Sequence, residues 1–196
     1  MLQRAVAGVL GQVTDGLFSF EVVVVDNDRN RSAECMVKDL QKQASKKVLY
    51  DCEPEQNISL ARNRCVKNAN GNLIAFIDDD EVPIKNWLSL LYNEKKKFHA
   101  DGVLGPVLPY FPNDAPAWLK KGNIYFRRRY ATGTKLSMGD TRTGNVLLAL
   151  NLFSSKTGWF DPKFGTTGGE DTEFFFNHIS RGRIFIWCDE AVVYET

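Results

Sequence analysis

Histidine and cysteine are scarce in this chain of 196 residues: two histidines, and four cysteines of which none form a CxxC pair. His99 and His178 alone give a histidine metal centre or a catalytic triad almost nothing to work with. Cys35, Cys52, Cys65 and Cys188 are irregularly spaced and read as free thiols of a reducing compartment. Net charge is also missing: 25 Lys+Arg against 24 Asp+Glu leave +1. That balance argues against a nucleic-acid polymer as partner, because phosphate binding uses a large excess of Lys and Arg. No apolar run reaches the ~18 residues that cross a bilayer. Neither common phosphate loop, G-x-G-x-x-G or G-x-x-x-x-G-K-[ST], is present, and neither is G-x-S-x-G. Residues 1–11 are apolar but lack a long hydrophobic core and a cleavage site. No signal peptide is read there, and a cytoplasmic location is the expectation. Asn57-Ile58-Ser59 is a formal sequon, with Ser59 expected as a helix cap instead.

What is present is a globular composition, 43% hydrophobic, in one domain's length. Leu2, Ala5, Val6, Val9 and Leu10 space as one helical face. Continuous apolar runs at 20–25 and 73–77 read as strands buried on both sides, each ending in acid. Between them lie helical stretches at 31–46 and 59–68, with Gly71 as a C-cap, and a short strand at 48–50. Pro83 is expected to open a helix running to about Lys97. Alternating strand and helix predicts a parallel sheet with right-handed crossovers over residues 1–100. Residues 101–196 are less regular. Strands are expected at 103–108, 145–150, 183–187 and 191–194, and a helix at 170–180 behind a glycine-rich 165–169 loop.

Acids gather where such sheets bind ligands, at the carboxyl ends of strands. Asp78-Asp79-Asp80-Glu81 follows one buried run. Hard oxygens without His or Cys suit Mg2+ or Mn2+. A solvated turn that caps the next helix is the other reading, and both stay open. Asp26 ends the other run and reads equally as an Asx turn. Gly168-Gly169-Glu170-Asp171 puts two acids at a helix start, as dipole partners or as a catalytic pair. Arg62 and Arg64 are two apart and take different faces, so one reaches toward a ligand and the other toward solvent. Lys95–Lys97 and Arg127–Arg129 read as solvated faces, and His178 as structural.

Taken in order, FEVVVVDND at 20–28, NISLARNRCVKNANGNLIAFIDDDEVP at 57–83 and GGEDTEFFFNHISRGRIFIW at 168–187 resemble family 2 glycosyltransferases of GT-A fold. The pieces Gly105-Pro106-Val107 and Ala115-Pro116-Ala117-Trp118-Leu119 resemble the bacterial exopolysaccharide branch, including the succinoglycan enzymes. The resemblance implies an α/β Rossmann-like, mostly parallel sheet flanked by helices. It makes residues 1–100 the nucleotide-binding half and 101–196 the acceptor half of a single domain. It implies a nucleotide-sugar donor, UDP by preference, a saccharide or polyprenyl-linked acceptor, Mg2+ or Mn2+, and peripheral contact with the cytoplasmic membrane face. By position, Asp26, Arg62, Asp78, Asp79, Gly144 and Asn145 fall on the donor side. Asp80 and Asp78 form the DxD metal pair, and Asp171, as base, and Glu170 are the catalytic acids. Gly168, Gly169 and Trp118 face the acceptor. No QxxRW is present, which favours transfer of a single sugar.

The chain departs from the pattern at Met1, which is followed at once by what matches the first helix. The expectation is a domain without its first strand, clipped at the C-terminus as well. This motivates a different reading, a degenerate or partial nucleotide-sugar-binding domain without catalysis. A nucleotidyltransferase would use the same strand-end acids but usually carries a Gly/Lys-rich phosphate loop.

Overall fold

The computed structural model describes residues 1–111, 116, 118, 127–155 and 158–195. Helix α1 (Leu2–Leu10) leads to β1 (Val22–Asp26), α2 (Glu34–Gln43), β2 (Val48–Cys52), α3 (Ile58–Asn68) and β3 (Leu73–Ile77). Then come β4 (Glu81–Pro83), α4 (Trp87–Phe98), β5 (Gly102–Leu104), β6 (Val107–Pro109) and β7 (Asn145–Ala149). Helix α5 (Glu170–Ile179), β8 (Phe185–Trp187) and β9 (Val193–Glu195) complete the order.

β1 and β2 pair in parallel. A second group runs β3-β7-β5-β8. Strands β3, β5 and β8 point one way and β7 alone opposes its two neighbours. A small third sheet, β4-β9-β6, stands at the carboxyl end of β3. β7 is covered on both faces, which explains its unbroken apolar run. Val146 and Leu148 join a core with Phe160, Phe174 and Phe175 under α5. Leu147 joins another core with Trp87, Leu91 and Ile186 under α4. Rings of Phe160 and Phe174 stack at 4.5 Å, fixing α5 against the sheet.

Several local expectations shift. Asn57, not Ser59, caps α3, accepting from the Leu60 N–H at 3.1 Å. Ser59 is fully buried and donates to the Asp161 carbonyl instead. Ala69, not Gly71, ends that helix. Pro83 lies in a short strand paired with β9, so α4 starts only at Trp87. The 103–108 run breaks at Gly105-Pro106 into two strands of different sheets. All four cysteines are free.

β1 and β3 do not pair with each other. Between them lies a slot of about 860 Å³ lined by Phe20, Val22, Val23, Leu73, Ala75 and Ile77 among others. The Val22 amide bonds outward to Lys47, on the β2 side. Strand alternation therefore turns the Val23 backbone toward the slot. Likewise the Asn72 carbonyl accepts from Leu150, so Leu73, Ala75 and Ile77 present their backbones to the slot.

Candidate functional site

The site is built at the carboxyl ends of β1 and β3 and at the start of α5. Asp26 is buried, and its carboxylate is already engaged. It accepts from the Asp28 N–H at 3.0 Å, the Ala33 N–H at 2.8 Å and the Tyr50 hydroxyl at 3.0 Å. Burial, then the hydrogen bond to Asp26, pushes the Tyr50 phenol upward. Asp26 thus organises the turn into α2, beside a pocket of about 610 Å³ lined by Asp28, Arg29, Asn30, Pro54, Glu55 and Gln56.

The two arginines of α3 do separate. Arg64 turns to Asp51, with contacts at 2.5 and 3.0 Å, and to Glu53 at 3.3 Å. Arg62 turns to the acids: it forms a buried ion pair with Glu170 and stands 3.9 Å from Asp78. Its guanidinium also lies over the Phe160 ring, 5.6 Å from the centroid. Arg62 therefore links α3, the end of β3 and the first turn of α5. Its ion-pair partners are these acids, not the pocket beside Asp26.

Asp79 is exposed, Asp78 keeps only about half of its side chain (49%) in solvent, Asp80 is half-buried, and Glu81 is only 2% exposed. Burial and then the Asp78 charge push the Glu81 carboxyl up to about 8. Its Oε2 accepts from the Asp78 N–H at 3.1 Å. Loss of water raises Asp78 too, opposed by Arg62 and assisted by Asp80 and Asp79. Gly144 faces this cluster. A Cβ there would sit 2.8 Å from Glu81 Oε1 and 3.1 Å from Asp78 Oδ2, so any side chain would push these carboxylates aside.

Asn145 was expected on the donor side, and the structure turns its side chain into the core. It is fully buried, donating to the carbonyls of Pro106 and Ala191 and accepting from Trp87 Nε1 at 2.7 Å. It ties β7 to the β5–β6 and β8–β9 connections and leaves no amide hydrogen for a ligand.

At the start of α5, Gly168 and Gly169 have φ of +80° and +95°, with open space where a Cβ would stand. Left-handed backbone, not crowding, calls for glycine at both. Asp171 is half-buried, and its Oδ1 accepts from the Thr172 N–H at 2.7 Å. Glu170 is 6% exposed. Trp118 is 65% exposed; of the 115–119 motif only it and Pro116 lie among the described residues.

Among the described residues, no three His, Cys, Asp or Glu side chains come together as a self-sufficient metal site. Two carboxylates completed by ligand oxygens and water nevertheless match the way Mg2+ is usually held. The crowding of Glu81 against Asp78 is the strain a cation relieves. Sequence reasoning missed two contributors: Glu81 as a buried acid and Tyr50 as the prop of Asp26. Only Glu81 carried a signal, as the last acid of its run.

Among known proteins, the chain is 36% identical over 177 residues to the succinoglycan biosynthesis protein ExoM of Rhizobium meliloti (strain 1021). That match covers 89% of this chain and 56% of ExoM. Chondroitin synthase of Pasteurella multocida (strain Pm70) is 23% identical over 225 residues, 99% of this chain and 23% of that one. The chain therefore spans about half of ExoM and a smaller part of the synthase. In fold it is similar to S. aureus TarS 1-349 in complex with UDP-GlcNAc, with a TM-score of 0.72 at 17% identity. That likeness covers 98% of this chain and 54% of TarS 1-349. It is also similar to GalNAc-T7 with UDP, GalNAc and Mn2+, with a TM-score of 0.70 at 16% identity, over 99% and 40% of the two chains. Both are GT-A glycosyltransferases, and the fold here is theirs. The family model for glycosyl transferase family 2 matches residues 1–153, and the chain belongs to that family.

Proposed function

We propose that the chain is the core of an inverting, metal-assisted glycosyltransferase. It moves one sugar from a nucleoside-diphosphate donor, UDP by preference, to a saccharide or polyprenyl-linked saccharide in surface-polysaccharide synthesis. The observation that carries this reading is the junction made by Arg62, which ties the acid run after β3 to the Glu170-Asp171 turn. Donor-side and acceptor-side acids thereby meet at one end of the sheet. Family membership and the UDP and UDP-GlcNAc complexes of the structural neighbours support the donor class.

In this reading the pocket beside Asp26 takes the nucleoside. Asp80 and Asp78 hold Mg2+ or Mn2+. When bound, that cation neutralises charge on the departing diphosphate. The acceptor hydroxyl oxygen attacks the anomeric carbon from the face opposite the diphosphate, whose bond to the sugar breaks. Asp171 takes the hydroxyl proton, a contribution typically worth about 10²–10⁴-fold. Glu170 holds the turn through Arg62 and stays out of proton transfer. The left-handed glycines keep the approach to Asp171 clear of side chains. A polyprenyl-linked acceptor brings the enzyme to the cytoplasmic membrane face as a peripheral partner.

The test is Asp171→Asn assayed with UDP-sugars and Mn2+. Transfer falls by about 10²–10⁴-fold while the donor still raises the melting temperature. Undiminished transfer in the variant rejects the base assignment.

The slot between β1 and β3 favours a second reading, a donor-binding domain that turns over only once another strand fills the sheet. Donor binding without transfer in the wild-type chain would select it.

A further inference from the structure

Helix α3 holds both ends of the glycine-rich segment that leads to Asp171. At the far end Arg62 pairs with Glu170. At the near end the Ile58 N–H donates to the Gly165 carbonyl at 3.1 Å. The chain just before Gly165 is held by the same helix. The Ser59 hydroxyl donates to the Asp161 carbonyl at 2.9 Å. The Asn63 side chain donates to the Phe160 carbonyl at 2.8 Å and accepts from its N–H at 3.0 Å. Residues 166–169, between the two anchors, are exposed, so their place is set from α3.

The first residue of that frame is also the end of a pocket wall. Pro54, Glu55 and Gln56 line the pocket beside Asp26 and are themselves exposed. Asn27 holds this wall from behind. Its Nδ2 donates to the Glu53 and Glu55 carbonyls at 2.9 and 2.5 Å, and its Oδ1 accepts from the Asn57 N–H at 3.1 Å. Asn57 is buried, and its side chain faces the other way. Its Oδ1 caps α3 at the Leu60 N–H, and its Nδ2 donates to the Pro162 carbonyl at 2.9 Å. Gly165 lies against this amide. A Cβ there would collide with the Asn57 side chain, although a φ of −69° suits any residue. Moving Asn57 therefore breaks bonds to the wall, the helix and the loop together, and leaves buried polar groups bare.

We propose that Asn57 is a positioning residue that couples the pocket beside Asp26 to the segment carrying Asp171. A nucleotide held against residues 54–56 fixes the wall, and the wall fixes Asn57. Asn57 in turn fixes the Pro162–Gly165 turn from which the glycine segment springs. The nucleotide acts by favouring the one arrangement in which all these bonds are made. This rests on the glycosyltransferase reading and adds an order of events: the donor seats first and prepares the acceptor side.

The experiment is hydrogen exchange on the whole chain, with and without saturating UDP and Mn2+. The reporters are the Gly165 and Gly168 amides, which donate to the Pro162 and Phe164 carbonyls. In the wild type UDP slows both about tenfold more than it slows the amides of α4. Asn57→Ser keeps a good helix cap and is too short to reach Pro162. It still binds UDP by melting temperature, and UDP no longer singles out the two amides. Gly165→Ala displaces the Asn57 side chain from the other side and gives the same result. In the Asn57→Ser background, where the added methyl has room, Gly165→Ala changes little more. UDP binding that slows all amides alike in the wild type overturns the coupling. So does a UDP response retained in Asn57→Ser or in Gly165→Ala. Absence of UDP binding in the wild type rejects the donor reading itself and the coupling with it.

Discussion

The slot between β1 and β3 and the cleft at the strand ends open beside the same two strands, and they are built oppositely. The slot offers apolar side chains and the backbone edges of two strands that, among the described residues, have no partner on that side. The cleft offers charged groups whose positions are set by one another: Arg62 by Glu170, Glu81 by Asp78, Asp26 by Tyr50. An opening of the first kind recognises any extended apolar strand, because backbone hydrogen bonds carry no side-chain identity. An opening of the second kind is specific, because moving one charge leaves another buried and unpaired. The cleft should therefore answer sharply to single substitutions and to pH, and the slot to neither.

The largest test of the cleft is Glu81. The folded protein holds this proton to about pH 8, whereas an unfolded glutamate ionises near 4.5. Between those values the native state binds more protons, so stability falls as pH rises from about 4.5 through 8 and is level above. A full shift of that size corresponds to several kcal/mol. Glu81→Gln keeps the acceptor for the Asp78 N–H and removes the titration. Its melting temperature should match the wild type near pH 4.5 and exceed it increasingly up to pH 8. Parallel melting curves for the two proteins across that range would mean that Glu81 ionises freely. Adding Mn2+ should narrow the gap, since a cation beside Asp78 favours ionised Glu81.

Next is the Arg62–Glu170 pair, with side chains only 12% and 8% exposed. Arg62→Met leaves Glu170 as a buried, uncompensated charge, which costs about 3–5 kcal/mol in urea unfolding. The double variant Arg62→Met/Glu170→Leu should recover most of that stability, because an apolar pair of similar volume carries no unpaired charge. It should not recover transfer, because the tie between α5 and Asp78 is gone. A loss below about 1 kcal/mol in the single variant would place the pair with ordinary surface ion pairs.

The contrast between slot and cleft also separates what was legible in the sequence from what was not. The apolar runs within 22–26, 73–77 and 145–149 were legible as strands, although only β7 is buried along both faces and buried and half-buried positions alternate along β1 and β3. The rule that ligands meet strand ends marked Asp26 and Asp78, each of which stands at the end of a strand. Their partners were not legible. Arg62 meets Glu170 across 108 positions and Asn63 meets Phe160 across 97, and no local spacing encodes such a contact. The same holds for Asn145, which the family resemblance put on the donor side. Only the carbonyls of Pro106 and Ala191, supplied from elsewhere, show it to be a core brace. Pro83 misled for a related reason. Proline at a first helical turn and proline at the edge of a short strand read alike until β9 is in place.

The smallest effect, and the one that isolates the slot, is amide exchange within single strands. Val22 donates to Lys47, and alternation puts Val24 on the same β2 side with Val23 facing the slot. Phe76 likewise faces β7 while Ala75 faces the slot. Hydrogen exchange should therefore alternate: Val24 and Phe76 protected, Val23 and Ala75 exchanging faster, by about the tenfold or so that one net hydrogen bond supplies. Joining an apolar strand of five residues to the start of α1 should fill the slot in the parallel sense, because a right-handed crossover through α1 reaches that side of β1. Val23 and Ala75 would then become as protected as their neighbours. The gain in stability should be modest, about 1–3 kcal/mol, because ordering five residues offsets most of the new hydrogen bonds and buried area. Equal protection of Val23 and Val24 before the strand is added would mean that the two edges already close on each other. In that case the slot is a gap between side chains and offers a strand nothing to pair with.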